Sequence, residues 1–255
     1  MKRMFGMFIA TGVLGAMVLS AQPAAAQPSS DELKCQTQAG GKIIPKFVLK
    51  KSKCIVKCEQ LARKGKGMAT DCDAPYAGDT AACIAKEEGK SEAGYGKGKC
   101  AVDCPECYSG GNCTTEGMSR TAITEAQVDT VGPLVYCDDS GSPDMLNADE
   151  GKCQDGSAKT LSKHVLKVAK ATAKCVKKGN TDCAPGPTRN AELEAKIADL
   201  SGKNAAKIDD KCSDKPECWN VSFDTGSEQI LVVNGLIDSN YAAFYCSSPS
   251  GAFLN

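Results

Sequence analysis

The sequence predicts a mainly α fold built from two tandem homologous units, each a helical hairpin stapled by disulfides. Three observations carry this expectation: a cysteine pattern that occurs twice, apolar segments of helical period with lysines stepped along one side, and an N-terminal leader directing the chain to an oxidising compartment.

The repeat is read residue by residue. Asp31-Glu32-Leu33-Lys34-Cys35-Gln36 returns as Asp149-Glu150-Gly151-Lys152-Cys153-Gln154. The segment from Lys46 to Cys58 runs parallel to that from Lys163 to Cys175. Thr70-Asp71-Cys72 matches Thr181-Asp182-Cys183, and Lys99-Cys100 matches Lys211-Cys212. Pro105-Glu106-Cys107-Tyr108 matches Pro216-Glu217-Cys218-Trp219, and Tyr136-Cys137 matches Tyr245-Cys246. These pairs divide the chain into a leader, 1–26, a first unit, 27–145, with ten cysteines, and a second, 146–255, with six.

The leader has Lys2 and Arg3, an apolar run from Met4 to about Leu19, and Ala24-Ala25-Ala26 as a cleavage site. The run is too short to span a bilayer, no other stretch approaches that length, and no lipobox cysteine follows. A periplasmic or secreted product is expected. In that setting an even set of cysteines reads as disulfides rather than metal ligands.

Each element follows from pattern. Helical periodicity covers Lys42 to Lys64 and Thr160 to Lys177, with Gly40, Gly41 and Pro45 predicting a kink early in the first. A second helix is expected over Asp79 to about Lys97 and over Ala191 to Asp210. The third segments, Thr121 to Tyr136 and Ser227 to Tyr245, are read as helices. In the latter, Ile230-Leu231-Val232-Val233 before Asn234-Gly235 could instead form a strand and turn. A linker is expected over 138–143.

Antiparallel hairpins bring Cys35 to Cys100, Cys54 to Cys83 and Cys153 to Cys212, because the two rungs of the first hairpin are nearly equally spaced along its helices. Cys58 to Cys72 and Cys175 to Cys183 close the loops, and Cys104 to Cys113 is a local staple. Cys107 to Cys137 and Cys218 to Cys246 tie down the third segments, so that every bridge stays within its own unit. Only eleven aromatic residues follow the leader, so the core is thin and the bridges contribute on the order of 2 to 4 kcal/mol each.

Charge excludes one function class and suggests another. After residue 26 there are 29 basic and 31 acidic residues, a net of −2, so no global attraction to nucleic acid exists, and no nucleic-acid motif is present. Locally, Lys46, Lys50, Lys53 and Lys57 step along one helix face, and Lys163, Lys167, Lys170 and Lys174 repeat the step. Such a row is either a solvated face or a docking stripe for an anionic polymer such as envelope polysaccharide, lipopolysaccharide or nucleic acid.

Catalytic readings find little. His164 is the single histidine and stands opposite Phe47, which removes His-based triads and His-rich zinc sites. Cys104-Pro105-Glu106-Cys107 could be a redox pair, making a thiol-disulfide oxidoreductase the alternative reading, or could join Cys100 and Cys113 in a thiolate metal site. A structural role is preferred, and neither cofactor nor metal is expected. Asn112-Cys113-Thr114 and Asn220-Val221-Ser222 fit a glycosylation sequon, while Asp138, Asp139 and Asp144, or Asn147, Asp149 and Gly151, hint at calcium ligands; both sets read as turn formers.

The Lys-Cys-Gln openings, the lysine-stepped helices ending in Lys-Cys, and the Thr-Asp-Cys and Lys-Cys positions resemble repeat units of cysteine-rich secreted proteins of Gram-negative bacteria whose role is not established. The resemblance runs through both copies from Asp31 and Asp149. It implies secretion and repetition and carries no activity; Cys54, Cys83, Cys104 and Cys113 depart from its simplest pattern.

Overall fold

The computed structural model describes residues 29–108, 110–137, 147–179, 182–219 and 223–246. The leader, the linker over 138–143, the Asn220-Val221-Ser222 sequon and Asp138, Asp139 and Asp144 lie outside the described residues. The described chain is helical, without a β-strand.

The first half begins with α1 (Ser30–Gln38), passes through a π-helical turn (Ala39–Ile43), and continues as α2 (Ile44–Ala62). Where Gly40, Gly41 and Pro45 predict a break or kink, the α-helical ladder gives way to this π turn, and Pro45, the second residue of α2, has no N–H to donate back into it. Then come α3 (Gly78–Tyr95) and α4 (Cys113–Tyr136). The second half is α5 (Ala148–Lys177), α6 (Ala191–Asp209) and α7 (Gly226–Ser239).

Three boundaries differ from expectation, each for a local reason. Helix starts before Cys35 and well before Thr160 because Ser29 with Glu32, and Asn147 with Glu150, form capping boxes. Asn112 caps α4 by accepting from the Thr115 N–H, which starts that helix at Cys113 rather than near Thr121. In α7 the box of Thr225 with Glu228 commits Ile230 to Val233 to helix, and Asn234-Gly235 continues it.

Helices α2 and α5 form the centre and run antiparallel. Gly41 lies against Ala173, the Ser52 hydroxyl donates to the Ala158 carbonyl at 3.4 Å, and Gln60 and Arg63 reach Asp155 at 2.5 and 2.6 Å. Helices α3 and α4 pack on α2, and α6 and α7 pack on α5. Both hydrophobic clusters draw on both halves: one joins Ile44, Tyr95 and Tyr108 to Leu193, Phe244 and Tyr245, the other joins Ile55, Val135 and Tyr136 to Leu161, Ile208 and Trp219.

Bridges join Cys35 to Cys100, Cys54 to Cys83, Cys58 to Cys72, Cys104 to Cys113, Cys153 to Cys212 and Cys175 to Cys183. The expected pairs Cys107 to Cys137 and Cys218 to Cys246 are corrected. Cys107 bonds Cys246 and Cys137 bonds Cys218, with Cα–Cα separations of 6.3 and 5.9 Å, so the bridges are not confined to the halves. The reason is that the C-terminal end of each half, Val135 to Cys137 at the close of α4 and Phe244 to Cys246 beyond α7, docks on the other half. Tyr108 Oη donates to the Phe244 carbonyl at 2.6 Å, and Trp219 Nε1 donates to the Val135 carbonyl at 3.1 Å. Gln36 Oε1 accepts from the Cys246 N–H at 3.0 Å, while Gln154 Nε2 lies 3.6 Å from Cys137 Sγ. Every one of these contacts is reciprocal, as in a two-fold interface.

Candidate anion-docking face

The lysine rows owe their position to what the other sides of α2 and α5 bury. Val48, Ser52 and Ile55 of α2 and Leu161, Val165 and Ala169 of α5 line one shared cavity. At about 100° per residue, all four lysines of each row fall within about 40° of the direction opposite Val48 or Val165. Because both helices turn one side to the same cavity, both rows emerge on the face away from it. Lys46, Lys53, Lys57, Lys163, Lys167, Lys170 and Lys174 are exposed and Lys50 is half-buried. Each row is about 16 Å long, and packed helices lie roughly 8–10 Å apart.

Among the described residues none of the eight is in an ion pair, although lysines elsewhere are: Lys34 with Asp31, Lys90 with Glu87, Lys152 with Asp149, Lys203 with Asp199. The contrast is sharpest with Lys51, one residue out of phase on α2. It is fully buried and pairs with Glu125 at 2.7 Å and Asp129 at 2.6 Å, with its ammonium 4.8 Å from the centre of the Tyr76 ring. Lys51 is structural, whereas the rows face solvent without counter-charge.

Tertiary packing enlarges the basic face beyond the sequence reading. The Lys211 stem lies over Gly156 of α5, where a Cβ would come within 2.9 Å of Lys211 Cδ. Partial burial, together with the charges of Lys207, Lys163 and Lys159, holds the Lys211 ammonium below the ordinary lysine range. Lys207, in the last turn of α6, and Lys211, just beyond it, are four residues apart, a spacing visible in the sequence, but only packing sets Lys211 near Lys163.

The remaining candidates are occupied. Cys104 and Cys107 are not bonded to each other but to Cys113 and Cys246. Two clusters have the spacing of a metal site, Cys35 with Cys100 and Cys113, and Cys175 with Asp182 and Cys183. Their sulfurs are in disulfides, so they offer no thiolate. His164 is buried; its Nδ1 accepts from Asn204 at 3.1 Å and its Nε2 donates to Asn234 at 2.8 Å. Burial holds this imidazole below the ordinary histidine range against the Asn234 hydrogen bond, with the Lys167 charge adding to the effect. Asn147 caps α5.

No protein-family model, no curated protein and no solved structure matches this chain. No described helix is long and apolar enough to cross a membrane, and the disulfides fit an extracellular or periplasmic protein.

Proposed function

We propose that this chain is a secreted or periplasmic, non-catalytic binding protein that docks an anionic polymer, envelope polysaccharide or lipopolysaccharide, on the face carrying both lysine rows. The observation that carries this reading is the eight-lysine face without ion-pair partners. Cations kept so close without carboxylates repel one another, and a polyanion lying across both rows relieves that repulsion while releasing its own counterions. Two rows on one face make the engagement bivalent, so weak contacts add to useful avidity.

The rest of the proposal rests on the sequence. The leader of residues 1–26 supplies export, and the resemblance to cysteine-rich repeat proteins agrees with it. The two units are a duplication, a reading supported by the reciprocal contacts of Tyr108 with Phe244 and Trp219 with Val135. The oxidoreductase alternative has no comparable support, since Cys104 and Cys107 have different sulfur partners.

Retention on immobilised heparin and binding to lipopolysaccharide vesicles test the proposal. Affinity is expected at low salt, falling linearly in a plot of log K against log salt concentration. Replacing either row by Gln reduces both affinity and slope, and replacing both abolishes binding. Absence of binding at low salt, or binding indifferent to salt or to loss of both rows, overturns it.

A further inference from the structure

At the head of α2 the lysine row runs into a pocket. Lys42, in the π turn, stands four residues before Lys46 and so continues the row by about one helical turn. Across a cavity of about 250 Å³ from these two are Lys90 of α3 and Lys97 just beyond it. All four lysines are exposed, so a ligand arriving from solvent can reach them.

The wall between α1 and the end of α3 is fixed by a clamp. Gln38 Nε2 donates to the Gly94 and Lys97 carbonyls at 3.3 and 2.8 Å, and Gln38 Oε1 accepts from the Lys99 N–H at 2.9 Å. The bridge from Cys35 to Cys100 ties the same two segments. Gly98, at φ +63°, admits the clamp, because a Cβ there would come within 2.6 Å of Gln38 Oε1. Carbonyls at the C-terminal end of a helix oppose an anion, and Gln38 occupies two of them. The second half has no such clamp. In the register that matches Gln36 with Gln154, Gly156 stands in place of Gln38, and the Lys211 stem lies over it.

Charge and size set the ligand class. Glu87 is the one carboxylate in the lining, and it pairs with Lys90. Four lysines and one glutamate leave a net of +3, and among the described residues Lys42, Lys46 and Lys97 are in no ion pair. The half-buried Glu87 also supplies an acceptor that a hydroxyl can use. An engineered cavity of roughly 150 Å³ holds one benzene, so this pocket has room for one six-membered ring with its substituents.

We propose that the pocket holds one anionic sugar unit, a hydroxylated ring bearing a carboxylate or a phosphate, with the four lysines around the anionic group and Glu87 accepting from a ring hydroxyl. This rests on the polyanion reading and names the unit of the polymer held most closely, at the head of the α2 row.

Glucuronate, glucose 6-phosphate, uncharged glucose and cyclohexanecarboxylate are the probes, followed at low salt by amide NMR and calorimetry on the intact, disulfide-bonded chain. Glucuronate or glucose 6-phosphate is expected to bind and to shift the Gly94 and Gly98 amide signals, and the tighter of the two names the charged group of the polymer. Glucose does not bind, and cyclohexanecarboxylate, which has the charge without the hydroxyls, binds more weakly than glucuronate. The double variant Lys90→Gln, Lys97→Gln leaves both rows intact and weakens the bound sugar anion roughly fivefold to tenfold. Lys152→Gln with Lys203→Gln removes the same charge elsewhere and leaves that affinity unchanged. The pocket is overturned if neither sugar anion binds, if glucose or cyclohexanecarboxylate binds as tightly, if the Gly94 and Gly98 signals stay in place, or if the two double variants behave alike. Retention on heparin without either sugar anion binding refutes the pocket and keeps the face; sugar-anion binding without heparin or lipopolysaccharide binding refutes the polymer reading and keeps the ligand class of the pocket.

Discussion

Glu88 and Glu125 share a hydrogen bond between α3 and α4, and Glu125 also accepts from Lys51 Nζ at 2.7 Å. Burial, the hydrogen bond and the charge of Glu125 push the Glu88 carboxyl up from 4.5 to about 7. Burial also acts on Glu125, but its hydrogen bonds from Glu88 and Lys51 and the Lys51 charge bring it below the ordinary range. Between those two Glu88 values the folded chain holds a proton that the unfolded chain has lost. The stability this group contributes is therefore complete below about pH 4.5 and is lost as pH rises through about 7. Thermal unfolding from pH 4 to 8 should show Glu88→Gln gaining on the native protein as pH rises; parallel curves would remove Glu88 as the source. The lysine phase that separates Lys51 from its neighbours is visible in sequence, but its acceptors Glu125 and Asp129 come from a distant helix, and local pattern says nothing of them.

Among the helices, glycine marks where two backbones meet and where nothing does. Gly226 opens α7 hard against the Ala205 carbonyl of α6, so a methyl group there pushes the helices apart. Gly89 sits within α3 with no atom near the position of a Cβ. Gly89→Ala should raise stability by about 0.5–1 kcal/mol by removing the glycine penalty in a helix. Gly226→Ala should lower it by about 1–3 kcal/mol through overpacking. Urea unfolding distinguishes the two, and equal shifts would refute the packing account. Element type was legible here because helical periodicity spans most segments. The boundaries were missed although Ser29 with Glu32 and Asn147 with Glu150 spelled capping boxes, and the strand-like run in α7 was ambiguous because period cannot sort a short apolar run.

For the whole molecule, the decisive feature is that the halves are crossed by two covalent bonds and share both hydrophobic clusters. Mass spectrometry of unreduced peptides should recover Cys107 with Cys246 and Cys137 with Cys218; Cys107 with Cys137 would refute the crossing. The Cys107→Ser, Cys246→Ser double variant should lose about 2–4 kcal/mol, because that bridge spans 139 residues and constrains the unfolded chain over a long loop. A folded protein of unchanged melting temperature would deny it that role.

By itself the sequence determined that the chain is helical, which residues carry the lysine rows, and the six bridges whose ends lie in one hairpin or one loop, because period and short spacing are local properties. It paired Cys107 with Cys137, wrongly, since Cys107 bonds Cys246. Cys137 and Cys246 occupy equivalent positions in matching segments, so pattern treats them alike. Only the tertiary structure breaks the tie: α2 packs antiparallel on α5, the C-terminal end of each half lies over the other half, and the sulfur within reach is the one that packing brings there.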